Sequence, residues 1–326
     1  MVRDLRARVL LLAQTKQPTV LSKKKTFLIP YIHVDDLHIG PLTLHPFGLL
    51  VAIGVLLGTS LAARRARWLG LDVTELHSFV TWLLVGGFVG GHVFDSLLYH
   101  PTEVVARPWS LIFLWEGLSS FGGFAGGLIG VVLWKFFERA PKQQGRRLSF
   151  ILFERRDVPR SILPFCDAVL AVFPIAWAFG RSGCAVVHDH PGARASARSL
   201  LAVAYGPGPA HAYGFFELRY GNAPRYDLGL LEMLFAVVLA FAFALTWKKR
   251  LPVGTYVIAS SLFYAPVRFA LDFLRVDDLD GGDPRYAALT PAQWACIALF
   301  GFGVALLLEP RWPRHRVAGC SSARRR

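Results

Sequence analysis

The chain has 326 residues, of which 54% are hydrophobic, and it carries a formal net charge of +14. Its mean hydropathy of +0.42 excludes an ordinary soluble domain of this size and predicts an all-α polytopic membrane protein. The basic residues collect in particular loops, which is typical of membrane orientation, so we expect no nucleic-acid partner.

About seven apolar runs have the length of a transmembrane helix and predict the spans. In chain order the predicted spans are Pro46–Ala63, Ser78–Leu98, Leu118–Phe137, Ile162–Arg181, Leu228–Trp247, Val253–Leu274 and Ala292–Leu308. Several runs contain Gly pairs or a Pro, such as Gly90-Gly91 and Pro174. Membrane helices tolerate these residues where neighbouring helices approach closely.

The loops between these runs predict the domain organisation and the orientation. We expect a basic N-terminal extension at 1–40, a seven-helix transmembrane domain at 41–310 with an external loop at 183–227, and a basic cytoplasmic tail at 311–326. Basic clusters follow the first, third, fifth and seventh runs, at 64–67, 135–160, 248–250 and 311–326. The positive-inside bias then places the N-terminus outside and the C-terminus in the cytoplasm.

Two segments leave alternatives open. Residues 1–27 are rich in Lys and Arg and would prefer the cytoplasm, which either a start placed too far upstream or an amphipathic surface segment would explain. The external loop combines Gly206-Pro207-Gly208-Pro209 with aromatic residues. It is either a cap against the lipid headgroups or a plain interfacial connector.

The chain has four cysteines, Cys166, Cys184, Cys296 and Cys320. They fall in or near the apolar runs and show no metal-binding spacing, so the sequence predicts no disulfide framework.

Two arginines lie in the apolar runs, Arg181 at the end of the fourth and Arg268 inside the sixth. An ionisable side chain at membrane depth costs at least about 2.5–3.5 kcal/mol, so it normally faces a protein or water-filled cavity and has an anionic partner. The pair therefore predicts a site for a phosphate-bearing lipid. Buried ion pairs that hold helices together are the alternative.

Three segments in consistent order resemble the bacterial prolipoprotein diacylglyceryl transferases. They are Gly117-Leu118-Ser119-Ser120-Phe121-Gly122-Gly123, the run from Phe165-Cys166-Asp167 to Gly180-Arg181-Ser182-Gly183, and the run from Tyr264 to Arg275. Supporting matches are Pro46-Phe47-Gly48-Leu49, Gly90-Gly91, Glu232 and Leu289-Thr290-Pro291-Ala292-Gln293. The resemblance extends from about residue 40 to residue 308.

The resemblance implies a multi-pass enzyme of the bacterial inner (cytoplasmic) membrane. It would transfer diacylglyceryl from phosphatidylglycerol to the lipobox cysteine of a prolipoprotein signal peptide, releasing glycerol phosphate, without a metal or organic cofactor. Arg181 and Arg268 match the family's motif arginines and would act catalytically by bidentate contact with phosphate oxygens.

Further substrate-binding residues are expected beside the two arginines. Asp272, four residues after Arg268, would orient that guanidinium. Glu232 would serve the site or cap the N-terminus of its helix. The remaining predicted binding residues are Gly183, Asp189 and His92.

Departures from the family pattern cluster at the reactive positions. Phe121 stands at the family's histidine and Phe47 at its tyrosine. Cys184 replaces an asparagine, Asp189 replaces a glutamate, and His92 replaces the arginine of a Gly-Gly-Arg. The family's usual candidate base is therefore missing.

Three histidines offer a replacement base, because an imidazole suits the deprotonation of a thiol near neutral pH. His188 is the first choice and is predicted to be catalytic, His190 is the second and His92 the third. The same residues would alternatively form a metal site, with His188 and His190 plus His92 and Asp95, or remain solvated without a chemical role. Cys184 is predicted to be a packing residue rather than a nucleophile.

The sequence thus indicates a divergent member of this family. A lipid-binding paralogue, or a transferase with another acceptor, would explain Phe121 and Phe47 without a replacement base. A membrane transporter would show paired discontinuous helices and repeat symmetry, which the sequence does not display.

Overall fold

The computed structural model describes residues 29–32, 34–40, 42–113, 117–139, 153–196, 198–205, 224–275 and 285–309. The chain forms two compact units, one of Met1–Tyr31 with Arg194–Arg225 and one of Ile32–Ala193 with Tyr226–Arg326. The predicted segments at 1–27 and 311–326, and residues 206–223 of the external loop, lie outside the described residues.

Helices dominate the larger unit. They are α1 (Pro46–Leu69), α2 (Val73–Tyr99), α3 (Pro101–Ala106), α4 (Ser120–Phe136), α5 (Leu163–Leu170), α6 (Phe173–Val187), α7 (Leu228–Ala244), α8 (Thr255–Leu271) and α9 (Pro291–Leu308), with 3₁₀ turns at Pro108–Ile112 and Asp272–Leu274. Capping side chains define several starts: Asp72 accepts from the Thr74 N–H at 2.7 Å, and Thr290 and Gln293 form a capping box at α9.

Short strands accompany the helices, so the chain is mostly helical rather than purely all-α. They are β1 (Ile29–Pro30), β2 (Leu37–Ile39), β3 (Leu42–Leu44), β4 (Phe137–Arg139), β5 (Phe153–Arg155), β6 (Pro191–Arg194), β7 (Ala202–Ala204) and β8 (Arg225–Asp227). In the smaller unit β1 pairs in parallel with β7, with Ile29 opposite Val203. In the larger unit β2 and β3, and β4 and β5, form antiparallel pairs.

Four helical segments in the described residues are long and apolar enough to cross a membrane. They are Pro46–Leu69, Val73–Leu97, Thr255–Leu274 and Pro291–Leu308, and they confirm helices of spanning length at the first, second, sixth and seventh predicted spans. Only 17–28% of each apolar window is buried within the protein. These helices therefore present large apolar surfaces outward, as membrane spans do.

The other three predicted spans have a different form. Leu163–Leu170 and Phe173–Val187 meet at an angle of 53°, so the fourth span is at most one broken crossing. Pro174 occupies the first turn of α6, and because proline has no N–H and clashes with the preceding turn, it favours a break there. Gly122–Phe136 and Leu228–Ala244 are apolar but shorter than a full span, so the count of about seven stays a prediction.

Glycines let α2 and α4 approach to backbone contact. A Cβ on Gly126 would lie 2.7 Å from the Gly90 Cα and would overlap the Gly86 carbonyl oxygen. A Cβ on Gly90 would lie 2.6 Å from the Gly126 Cα. The four-residue spacing of these glycines is the small-residue packing pattern of membrane helices.

The Gly126→Ala variant is therefore expected to lose about 1–3 kcal/mol of stability through overpacking. Gly301→Ala on α9 is the matched control, because a Cβ at Gly301 meets no atom within 4 Å. Thermal unfolding in detergent should show a lower apparent midpoint for Gly126→Ala alone. Equal midpoints for both variants would contradict the close contact.

The buried core lies at one end of the larger unit, where Phe79 of α2, Trp134 of α4 and Phe165 of α5 pack together. The Trp134 ring lies 5.0 Å from both the Phe79 and the Phe165 ring. The N-terminal half of α8 joins this core through Tyr256. Arg268 lies in the opposite, C-terminal half of α8, outside this apolar core.

Two basic residues of the predicted loop clusters belong to the fold itself. Arg65 lies inside α1, which extends to Leu69, and it donates hydrogen bonds to the carbonyl oxygens of Trp247 and Lys249. Arg156 is 6% exposed and binds Glu75 at 3.0 Å and Glu138 at 2.6 Å. These two positive charges therefore join elements of the protein as well as contributing to the charge bias.

Candidate functional site

Arg181 points into a buried polar cluster at the C-terminal half of α6. Its Nη2 lies 2.9 Å from Glu232 Oε2, and its guanidinium stacks on the Trp177 ring at 4.7 Å from the centroid. Its Nε–H is buried and has no hydrogen-bond partner among the described residues. A buried unpaired donor is costly, so the site has unused capacity for an anion.

Glu232 organises this cluster from the second turn of α7. It is 3% exposed, and its Oε1 accepts hydrogen bonds from Tyr264 Oη at 2.7 Å and Trp177 Nε1 at 3.3 Å. The helix cap is Asp227 instead, whose Oδ1 accepts from the Leu230 N–H at 2.9 Å. Glu232 therefore belongs to the polar cluster around Arg181 and does not cap the helix, whereas its role in substrate binding stays a prediction.

Arg268 lies on α8, one turn after Tyr264. Its Nη1 binds Asp272 Oδ1 at 2.7 Å, and the Arg275 Nε binds the same oxygen at 2.7 Å. Asp272 is fully buried and also accepts a hydrogen bond from the Thr290 hydroxyl. Asp272 thus has the geometry of the orienting partner predicted from the four-residue spacing.

Glu232 connects Arg181 to the helix that carries Arg268. It forms an ion pair with Arg181. Tyr264 touches Glu232 from the same helix that carries Arg268. Arg181, Arg268 and Arg275 carry three positive charges against the two carboxylates of Glu232 and Asp272. The cluster therefore keeps a net charge of +1, which suits a phosphate.

Sequence reasoning missed three polar side chains that contact Arg181 or the carboxylates paired with the arginines: Trp177, Tyr264 and Thr290. Trp177 and Tyr264 each precede an arginine by four residues, so they lie on the same helical face. That spacing was a usable signal. The hydrogen bond from Thr290 to Asp272 joins the start of α9 to the end of α8. No local sequence pattern predicts it.

Cys184, Asp189 and His190 form a second cluster beside Arg181. Their ligand atoms all lie within 4.8 Å of one another, and the His190 Nδ1 is 2.5 Å from Asp189 Oδ1. The Cys184 sulfur lies 3.7 Å from the Arg181 Nη1. Burial lowers the pKa of His190, but hydrogen bonds and charge from Asp189 and Cys184 outweigh it and raise that pKa to about 9.

His188, the first candidate base, is turned away from this cluster. It ends α6 in the left-handed conformation with φ of 52°, and its ring is buried. Its Nδ1 lies 2.7 Å from Asp227 Oδ2, and its Nε2 lies 3.0 Å from the carbonyl oxygen of Ile32. Both ring nitrogens face acceptors, so His188 has the geometry of a link between α6 and α7.

His92 is enclosed at the end of α2 and is 1% exposed. Its ring nitrogens lie 3.2 Å from the carbonyl oxygens of Gly117 and Ser110. The described structure therefore does not assemble the predicted metal cluster of His188 and His190 with His92 and Asp95. His92 has the environment of a buried connecting residue.

Gly183 serves close packing between α6 and the start of α1. A Cβ there would lie 2.9 Å from Phe47 Cδ2, so a side chain at this position would displace the Phe47 ring. Gly183, a predicted substrate-binding residue, therefore lies where α6 packs against α1.

Comparisons with known proteins cover most of the chain. The family described as prolipoprotein diacylglyceryl transferase matches residues 36–309. A phosphatidylglycerol–prolipoprotein diacylglyceryl transferase from Nitratidesulfovibrio vulgaris is 29% identical over 87% of this chain and 97% of its own length. Proteins with the same name from Pseudomonas putida and Pseudomonas aeruginosa are 28% and 27% identical, each over 86% of this chain and 95% of their own length.

Proposed function

Because the chain belongs to the prolipoprotein diacylglyceryl transferase family, a family of membrane transferases, we propose that it transfers diacylglyceryl from phosphatidylglycerol to a prolipoprotein. The acceptor is the thiol of the lipobox cysteine, and glycerol phosphate is released. The enzyme resides in the bacterial inner membrane with about seven crossings, its N-terminus outside and its C-terminus in the cytoplasm.

The observation that carries this proposal is the Arg181 guanidinium. It is held by Glu232 and Trp177 yet keeps a buried Nε–H without a partner among the described residues. A phosphate oxygen of the lipid would satisfy that donor. Arg268 supplies the second positive charge, oriented by Asp272.

These contacts support separate roles for the arginines, which would stabilise the leaving group, and for the carboxylates, which would position the arginines. As the carbon–oxygen bond to phosphate breaks, negative charge develops on the departing glycerol phosphate. Fixed guanidinium groups stabilise such charge strongly in a water-poor site, because they need little reorganisation during the reaction. Glu232 and Asp272 prevent the arginines from swinging away, and so preserve that arrangement.

The acceptor thiol must also lose its proton, since the thiolate is the nucleophile. Among the candidate bases, His190 lies in the cluster beside Arg181, while His188 and His92 face acceptors within the fold. Thiol activation is therefore assigned to the cluster of Cys184, Asp189 and His190, which lies beside Arg181.

The test uses the purified full-length chain and phosphatidylglycerol labelled in its diacylglyceryl part. It measures transfer of the label to a synthetic lipobox peptide. We expect label on the peptide and an equal amount of released glycerol phosphate. A peptide with serine in place of the lipobox cysteine is the acceptor control and should stay unlabelled.

A specific observation favours a second function. Phe121 and Phe47 stand where the resemblance implies a histidine and a tyrosine, which suits a lipid-binding paralogue or a transferase with another acceptor. Phosphatidylglycerol binding that depends on Arg181, without transfer to the peptide, would support this alternative and contradict the transferase proposal.

A further inference from the structure

The cluster beside Arg181 contains three different metal-ligating side chains. Cys184 offers a sulfur, Asp189 a carboxylate oxygen and His190 a ring nitrogen, and all three atoms lie within 4.8 Å of one another. We propose that these residues bind a zinc ion, which holds the acceptor thiol as its fourth ligand. The catalytic half of this inference rests on the proposed function, but the metal site itself does not.

The donor set matches zinc chemistry. Thiolate, imidazole and carboxylate are the ligands that Zn²⁺ takes in proteins, and catalytic sites combine three protein ligands with one open position. The soft sulfur disfavours magnesium and calcium, which prefer oxygen ligands. Because the ligand atoms already lie within 4.8 Å of one another, rotations about the side-chain bonds would bring them around one ion. The hydrogen bond between Asp189 and His190 would then be replaced by bonds to the metal.

One side of the cluster is buried and the other is open to solvent, which suits a metal site with an open coordination position. Cys184 is 6% exposed and anchors the cluster in the protein, whereas the Asp189 and His190 side chains are 40% and 34% exposed. A substrate thiol can therefore approach from the side of Asp189 and His190. The buried sulfur remains fixed to α6.

The position of the cluster relative to the phosphate site supports a role in the same reaction. The Arg181 Nη1 lies 3.7 Å from the Cys184 sulfur, so a lipid phosphate held by Arg181 would lie beside the metal. Nucleophile and leaving group would then meet at one end of α6. Glu232 neutralises part of the Arg181 charge, which reduces the repulsion between the guanidinium and a dication.

Phe121 stands where the resemblance implies a histidine base, so the acceptor thiol needs another means of losing its proton. A zinc ion would provide it. A thiol that coordinates zinc is deprotonated outright, so its proton passes to water. The coordinated sulfur then forms a bond with the glyceryl carbon, and the bond from that carbon to the phosphate oxygen breaks. The electron pair leaves with glycerol phosphate, and the oxidation state of the metal does not change.

The first experiment measures metal binding without reference to activity. The purified full-length chain is stripped with a chelator and titrated with Zn²⁺ and, separately, with Co²⁺, whose thiolate complexes absorb in the near ultraviolet. We expect one ion per chain and a thiolate–cobalt band. Cys184→Ala and His190→Ala should weaken binding at least about 10-fold, since even loss of an outer partner costs 10–100-fold.

Matched controls are Cys166→Ala and His77→Ala, which remove the same residue types far along the chain from the cluster and should leave binding unchanged. Asp189→Asn preserves the shape of its side chain and guards against effects of misfolding. Absence of binding, or equal binding by cluster and control variants, would overturn the metal site.

The second experiment compares peptide transfer before stripping, after stripping and after zinc is restored. Loss and recovery of transfer support the catalytic role. Transfer that survives stripping but requires His190 would indicate a metal-free base and overturn it. Zinc binding that depends on the cluster, without transfer under any condition, supports the metal site and contradicts the proposed function.

Discussion

Replacing Arg181 with alanine is expected to lower kcat/KM for diacylglyceryl transfer by about 100- to 1,000-fold, the usual effect of removing one donor to developing negative charge. Arg181 carries the buried unpaired Nε–H and lies at the cluster of Cys184, Asp189 and His190. The measurement is the initial rate of peptide labelling over a range of phosphatidylglycerol concentrations.

The single variant has a second effect that must be separated from catalysis. It strands the buried Glu232 carboxylate, and breaking a buried pair in this way costs about 3–5 kcal/mol. The double variant Arg181→Ala/Glu232→Gln removes the stranded charge, and its amide oxygen can still accept from Tyr264 and Trp177. We expect this variant to recover stability but not transfer. Wild-type rates in the folded double variant would refute the phosphate role of Arg181.

The Arg268→Lys variant is expected to reduce kcat/KM by about 10- to 100-fold, a smaller loss than complete removal of a donor. A lysine ammonium can still pair with Asp272, but it cannot make the forked contact of a guanidinium with two phosphate oxygens. The fold should therefore be maintained while transfer falls. Kinetic measurement on phosphatidylglycerol, together with thermal unfolding, tests both parts of this expectation.

Arg275→Lys is the matched control for this change. Arg275 binds the same Asp272 oxygen at the same distance of 2.7 Å, but its side chain is 28% exposed compared with 12% for Arg268. The control should lose less activity than Arg268→Lys. Equal losses would mean that both arginines act only by balancing Asp272, and would argue against direct phosphate contact by Arg268.

The sequence by itself determined the membrane class, four of the spans, the family and the two arginines. These properties depend on the order and spacing of residues along the chain. A long apolar run requires a helix in a bilayer because its backbone polar groups find no water there. Asp272, four residues from Arg268, could likewise be assigned as its partner, because residues at this spacing share a helical face.

Only the tertiary structure decided which charged groups meet. Glu232 receives Trp177 and Tyr264 from helices 55 and 32 residues away in sequence, and no local pattern specifies such contacts. His188 and His190 are two residues apart, yet the left-handed turn at His188 directs one ring to Asp227 and leaves the other beside Cys184. The extension of α6 to Val187, beyond the predicted end at Arg181, also depends on packing, which sets where a helix ends.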